Sequence, residues 1–272
     1  MINTFDFLNK GKSKVFLMSA QAAAAGRNYE TSLRNKLKAV YSNIPTTAGF
    51  GSGPDITVPS INNPGQRLLI EAKTTTGADF GQKAVTFNGV SWVPSTKRDE
   101  VPEISALYNY LFNTYDVGGL IANAWKLPNK NITAEDLGLA VKNKQFSKVL
   151  YYEKMLQKAS GKPNPFPTKT LVQGPKIVDS IKSYYNSKGI YYIQVKGSGF
   201  YILGNDVKNL RGILGINIPF FEPTTAELII RGKSSISGRT YSPTLTFKSA
   251  SLAASQYSLD SGNLINLLHS KL

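Results

Sequence analysis

Three residues in the first part of the chain have the types and spacing to do chemistry together: Asp55, Glu71 and Lys73. Asp55 follows Pro54 at the head of a short predicted strand, Asp55–Val58. Glu71 and Lys73 close a second predicted strand, Arg67–Lys73, whose Leu68-Leu69-Ile70 run marks it as buried for most of its length. Residues two apart on a strand point to the same face, so Glu71 and Lys73 share one. Burying a carboxylate and an ammonium is costly, which makes their place on an apolar strand informative. With Asp55 opposite across a hairpin, two carboxylates joined by a backbone carbonyl and waters can hold Mg²⁺. Hydrolysis of a phosphodiester needs such a set. It requires a nucleophilic water, stabilisation of charge on the phosphoryl oxygens and help for the leaving alkoxide. Mg²⁺ supplies Lewis acidity and water activation, while a nearby lysine orients or deprotonates the water and stabilises the transition state.

Composition narrows the alternatives. The 272-residue chain has no cysteine and a single histidine, His269, which removes disulfides, thiolate zinc sites, cysteine nucleophiles, Ser-His-Asp triads and His-metal clusters. Hydrophobic residues make up 41% and charged residues 18%, as in a folded protein, and no apolar run approaches the ~20 residues of a membrane helix. The formal charge is +15. Such a surplus is self-repulsive unless a polyanion relieves it, and nucleic acid is the usual one.

The surplus is concentrated. Between Leu137 and Phe200 there are eleven lysines and only two acids, Glu153 and Asp179. Tyr151, Tyr152, Tyr184, Tyr185, Tyr191 and Tyr192 are interleaved. Lysine neutralises phosphates and tyrosine can stack on unpaired bases, so the segment reads as a nucleic-acid surface. Lys142, Lys144, Lys148, Lys182, Lys188, Lys196 and, further on, Arg211 are the candidate contacts. A solvated lysine face with the tyrosines in the core is the competing reading. A membrane-surface helix would need a wider apolar face than this segment offers.

The elements that must position these residues follow from periodicity and turn signals. Lys10, Lys12 and Lys14 before Val15–Met18 imitate a signal peptide, but Ser19 and Gln21 break the apolar stretch, and an amphipathic helix starting in Ala22–Ala25 is the better reading. Leu33, Leu37, Val40 and Tyr41 keep helical spacing up to Asn43-Ile44-Pro45. After the strands around Asp55 and Glu71, a third is predicted at Ala84–Phe87 or Val90–Val93. Glu103–Phe112 is a predicted helix, and Val117–Ala124 is ambiguous. Thr133 caps a helical stretch running unevenly to Ser160, and Lys162–Pro167 is a loop. A helix over Lys176–Ser187 leads into a hairpin of Ile190–Val195 and Phe200–Leu203. Strands at Ala226–Arg231 and Thr240–Phe247 and a helix at Gly262–Leu268 complete the chain.

Pro54-Asp55, then Glu71-Ala72-Lys73 sixteen residues on, resembles the signature of the PD-(D/E)XK nuclease superfamily, which has the restriction-endonuclease-like fold. The order helix, strand, strand, strand, helix, strand is similar to that superfamily's core. Glu30, on the Gly26–Ala39 helix, matches the extra glutamate that many members carry on their first helix. Gln82 corresponds to a glutamine found beyond the lysine in several branches. The resemblance implies Mg²⁺-dependent cleavage of DNA, with Asp55 and Glu71 as metal ligands. Lys73 would be the water-orienting or general-base residue and Glu30 an outer-shell or second-metal ligand. In the restriction-enzyme branch, homodimers often cut duplexes with one strand to each subunit.

A second nuclease pattern competes. Gly189-Ile190-Tyr191, with Tyr201-Ile202-Leu203-Gly204 and Arg211 downstream, resembles the GIY-YIG hairpin. The glutamate this family needs on a later helix has only Glu222 and Glu227 as candidates, both in a β-type stretch, and a core hairpin explains the same tyrosines more simply. Gly49-Phe50-Gly51-Ser52-Gly53 is not a P-loop, because no Gly-Lys-Ser/Thr and no helix follow; a turn bringing Asp55 to the site is the better reading. Trp92 and Trp125 read as core, and His269 as a surface residue of the last helix.

Together these readings predict one α/β (α+β) domain: a central mixed β-sheet flanked by helices, with a β-rich C-terminal elaboration over 205–272. The catalytic core is expected over about 20–125 plus the 190–203 hairpin, with a basic helical segment over 133–188. The expected activity is that of a Mg²⁺-dependent endodeoxyribonuclease, such as a type II restriction endonuclease, acting on double-stranded DNA in the cytoplasm as a possible homodimer. The alternative from another class is a non-catalytic basic nucleic-acid-binding protein.

Overall fold

The computed structural model describes residues 21, 23–42, 44, 53–60, 62, 65–96, 101–127, 131–161, 165–232 and 243–272. The expectations for the N-terminal basic stretch and the Gly49–Ser52 turn lie outside these residues. The described chain is mixed α/β, and its contacts gather it into two compact units. The first comprises 1–76, 189–221 and 252–272; the second comprises 77–188 and 222–251.

The first unit is built on a four-stranded mixed sheet. Strand β1 (Ile56–Pro59) pairs antiparallel with β2 (Arg67–Lys73), setting Ile56 opposite Ile70 and Val58 opposite Leu68. On its other side β2 pairs in parallel with β6 (Tyr192–Val195), Glu71 with Ile193 and Lys73 with Val195. Antiparallel β7 (Gly199–Ile202) closes the sheet. β6 therefore completes the sheet of the motif strand, as the sequence led us to expect. Strand β3 (Gln82–Phe87) does not continue it. The expected core over 20–125 divides accordingly, since 77–125 belong to the second unit.

Alternation puts Ile56, Val58, Leu68, Ile70, Ala72, Tyr192, Phe200 and Ile202 on one sheet face, and all are buried in one core with helix α1 (residues 23–38). Tyr29, Leu33 and Leu37 recur every fourth residue and form the buried stripe of α1. Leu210 and Leu214 of α7 (Leu210–Leu214) and Leu264, Ile265 and Leu268 of α8 (Gly262–Lys271) join the same core. Gln194, fully buried in β6, is satisfied by its surroundings: its amide donates to Ser258 Oγ at 3.0 Å and its carbonyl accepts from Leu259 N–H at 2.8 Å. That pair ties the last segment of the chain to the middle of the sheet.

The second unit carries an antiparallel sheet in the order β4-β3-β9-β8-β5. Its strands are β3 (Gln82–Phe87), β4 (Trp92–Pro94), β5 (Lys169–Gln173), β8 (Ala226–Arg231) and β9 (Thr244–Ser249). The two alternatives for a third strand are thus both strands, paired as a hairpin. β5 carried no clear sequence signal, because its five residues have three exposed positions and no alternation. Val117–Ala124 is helix α3, following α2 (Pro102–Tyr115); Asp116, in left-handed conformation, ends one and caps the other. The uneven stretch to Ser160 is two helices, α4 (Ala134–Lys142), with the expected Thr133 capping box, and α5 (Phe146–Ser160). Lys144, at φ 56°, breaks them. α6 (Pro175–Asn186) follows β5. Trp92 and Trp125 are buried core residues 5.9 Å apart.

The first residue of β7 leaves no room for a side chain. Gly199 has φ +116°, and a Cβ there would lie 2.7 Å from Ser255 Cβ and from the carbonyl oxygens of Ser255 and Tyr257. Backbone strain and backbone collisions combine, so Gly199→Ala is expected to destabilise the protein by about 3 kcal/mol or more in urea denaturation.

Candidate active site

Asp55, Glu71, Lys73 and Glu30 all belong to the first unit, and the fold brings them together. Asp55 lies one residue before the Ile56–Ile70 pair, which puts it across from Glu71, and its Oδ2 accepts the Ala72 N–H at 2.9 Å. Lys73 Nζ donates to Glu71 Oε1 at 2.5 Å. Strand alternation puts Glu71 and Lys73 on the same side of β2. Glu30, one residue after the buried Tyr29, reaches the group from the helix.

Sequence reasoning missed Arg34. It is 6% exposed, and its guanidinium spans two elements: Nη2 donates to Glu30 Oε2 at 3.2 Å and Nε donates to the Asp55 carbonyl at 3.2 Å. The i, i+4 spacing from Glu30 was the available signal. Tyr29 was also missed; its hydroxyl donates to Asp260 Oδ2 at 2.9 Å, a contact between positions 231 residues apart with no sequence signature.

The electrostatics follow from three carboxylates sharing one partly dry region. Burial and the charge of Glu71 push the Asp55 carboxyl up to about 7, against the opposing pull of Lys73 and the Ala72 N–H. Burial raises Glu30 as well, and Arg34 and Lys73 offset only part of it. For Lys73 burial works against the ammonium, but Glu71, Asp55 and Glu30 together outweigh it and hold its pKa above the usual lysine value. Lys73 is therefore an ammonium in this arrangement, suited to orienting a water or stabilising an anion. Its reading as a general base fits this charge state poorly.

Among the described residues no cluster of three or more His, Cys, Asp or Glu is assembled to hold a metal ion. The donor set of Asp55 and Glu71 still suits a hard divalent cation. Both are oxygen donors, and a cation between them would relieve the repulsion that raises Asp55. Backbone carbonyl and water would complete the shell.

The remaining candidates divide between the units. Gln82 begins β3 in the second unit, where its amide donates to Asp79 at 2.9 Å. Lys142, Lys144 and Lys148 are exposed and Lys182 and Lys188 half-buried, also in the second unit. Lys142 donates to the Asn88 carbonyl, and Lys188 stands over the Tyr184 ring. Half of the interleaved tyrosines are not surface platforms: Tyr184, Tyr185 and Tyr192 are buried, because they fall on the inward faces of α6 and β6, whereas Tyr151 is exposed and Tyr152 and Tyr191 are half-buried. Arg211 is spent on the Ile218 carbonyl at 2.7 Å and on the Phe220 ring. Tyr201 is buried, its hydroxyl within hydrogen-bond distance of the Ser198 and Ala253 carbonyls, so this tyrosine of the GIY-YIG-like pattern serves packing. His269 is half-buried, edge-on to Tyr41, instead of lying on the surface. No described helix is long and apolar enough to cross a membrane.

Comparison of the chain with protein-family models, with curated proteins and with solved structures finds no match.

The raised Asp55 makes a prediction whose sign is fixed. Its carboxyl keeps a proton in the folded state up to about pH 7, whereas in the unfolded chain it loses it near the ordinary aspartate value of 3.8. The folded state binds more protons in that window, so this group lowers stability as pH rises from about 4 to 7. Asp55→Asn keeps the acceptor for Ala72 N–H and removes the titration. At pH 8 in EDTA it is expected to be more stable than the parent by about 1–3 kcal/mol, with the gain vanishing by pH 4, as read from urea midpoints.

Proposed function

We propose that the protein is a Mg²⁺-dependent endodeoxyribonuclease with a restriction-endonuclease-like core, acting on double-stranded DNA. The observation that carries this reading is the convergence of Asp55, Glu71 and Lys73 at the end of β2, with Glu30 reaching them from α1. The parallel pairing of β2 with β6 supports it, because it sets the motif strand inside a mixed sheet that is packed against a helix. The formal charge of +15 supports a polyanionic substrate.

In this reading Asp55 and Glu71 would hold the metal, whose chemistry there would be Lewis acidity and water activation. The Lys73 ammonium, fixed by Glu71, orients the water and faces the negative charge that builds on the phosphoryl oxygens. Pre-positioned charge of this kind needs no reorganisation during the reaction. Glu30 adds negative charge beside the metal ligands. Arg34 neutralises part of it and fixes the backbone at Asp55, which positions the carboxylate without touching substrate.

Asp55→Ala, Glu71→Ala and Lys73→Ala are each expected to lower Mg²⁺-dependent cleavage of plasmid DNA by at least about 10³-fold. Binding of a DNA duplex in EDTA should stay within about threefold of the parent. Plasmid left intact by the parent protein with Mg²⁺, but bound in a salt-sensitive way, would replace the nuclease with a non-catalytic nucleic-acid-binding protein. Undiminished cleavage by the variants would move the chemistry to another site. Arg34→Gln should reduce kcat by about tenfold and leave KM within about twofold, since its work is positional.

A further inference from the structure

Of the seven basic residues that the sequence singles out, only Lys196 and Arg211 lie in the unit that holds the acidic cluster, and Arg211 is committed to Ile218 and Phe220. Lys196 directly follows β6. Its N–H donates to the Lys73 carbonyl at 2.8 Å, so the two backbones run side by side where β2 ends. Its ammonium stands 5.5 Å from the centroid of the Tyr29 ring. Tyr29 directly precedes Glu30, its ring is buried, and its hydroxyl is anchored on Asp260. Two of the other cations of this unit are spoken for by carboxylates: Arg34 by Glu30 and Lys36 by Asp260. Lys196 is exposed and, among the described residues, has no carboxylate within ion-pair distance. A cation held at the ring distance seen here gains only ~0.5–1 kcal/mol at an exposed site, enough to bias where the long side chain rests and too little to keep it from an anion.

We infer that Lys196 is a substrate-binding residue of this site, contacting a phosphate of the bound nucleic-acid strand next to the one cleaved. The inference rests on the nuclease reading for the word substrate, and on the placement of Lys196 beside Lys73 for the contact. Lys73 faces the reacting phosphate with its charge tied to Glu71. Lys196 offers an exposed ammonium one strand over, at the same end of the sheet, held only by the Tyr29 ring. A phosphate is the matching partner because it brings the negative charge that the ring supplies only weakly.

The test compares the full-length protein with Lys196→Ala and Lys196→Arg. Binding of a short DNA duplex is measured in EDTA across a series of NaCl concentrations, and cleavage is measured separately with Mg²⁺. Loss of one phosphate contact should reduce the slope of log K against log salt by about 0.9 in Lys196→Ala, with Lys196→Arg keeping the parental slope. In cleavage, Lys196→Ala should raise KM about fivefold and leave kcat within about twofold. A parental slope and KM in Lys196→Ala would overturn the inference and leave the nuclease reading standing. An altered slope that arginine fails to restore would also overturn it, because charge would then not be the cause. A parent that binds with a Lys196-dependent slope yet never cleaves would overturn the nuclease reading and keep the phosphate contact. Absence of duplex binding by the parent would overturn both.

Discussion

An ammonium taken out of water loses several kcal/mol of hydration, and the first unit holds one, Lys73, at the end of β2. The fold can keep it there because carboxylates from three elements converge on it. Glu71 comes from the same strand two residues earlier, Asp55 from the start of the neighbouring strand and Glu30 from the helix packed on the sheet. Each requirement constrains the structure around it. The β1–β2 register must put Asp55 across from Glu71, and Tyr29, Leu33 and Leu37 must seat α1 so that Glu30 arrives at the correct end. Arg34 locks the two arrangements together by bonding both the Glu30 carboxylate and the Asp55 backbone.

The same convergence overshoots. Three carboxylates gather around Lys73 and Arg34, and burial, followed by the charge of Glu71, pushes Asp55 up. The molecule as a whole is strongly cationic, so the acidic cluster is a local exception to its field. The two signs serve different partners. A basic surface draws a polyanion at long range, whereas a partly buried acidic cluster attracts a small hard cation at short range. A polyanion alone would be repelled by the cluster, and a cation there removes that repulsion. These electrostatics are compatible with the metal-dependent phosphate chemistry proposed for the site.

Segments far apart in the chain stabilise this arrangement. Gln194, in the middle of β6, holds the backbone at Leu259 and the hydroxyl of Ser258, and Asp260 immediately after them receives the Tyr29 hydroxyl and pairs with Lys36. The end of the chain thus braces α1 on the side away from Arg34. α8 then adds Leu264, Ile265 and Leu268 to the core under the sheet. The unit is assembled from three separated stretches of sequence; the acidic cluster and Lys73 all come from the first, and the other two supply the strands, helices and contacts that brace it.

How much of this was legible depends on the range of the interaction concerned. Asp55, Glu71 and Lys73 could be grouped from sequence because strand alternation and a single hairpin relate them, and Glu30 was added by resemblance to a known pattern. β1, β2, α1 and the β6–β7 hairpin were recognisable for the same reason: their apolar periodicity and turn residues are local properties. The division into two units was not legible, since strands β3 and β6 look alike as strings and only pairing decides which one lies beside β2. Tyr184, Tyr185 and Tyr192 passed for a surface because composition carries no direction, and burial is settled by the face that an element presents. Arg34 and Lys196 acquired their places only in three dimensions, one between helix and strand and the other beside Lys73. The sequence by itself determined the local elements and the types of group available to the site. The tertiary structure decided which further groups join them and how deeply each is buried, because burial, charge coupling and strand pairing are summed over contacts between residues that the chain keeps far apart.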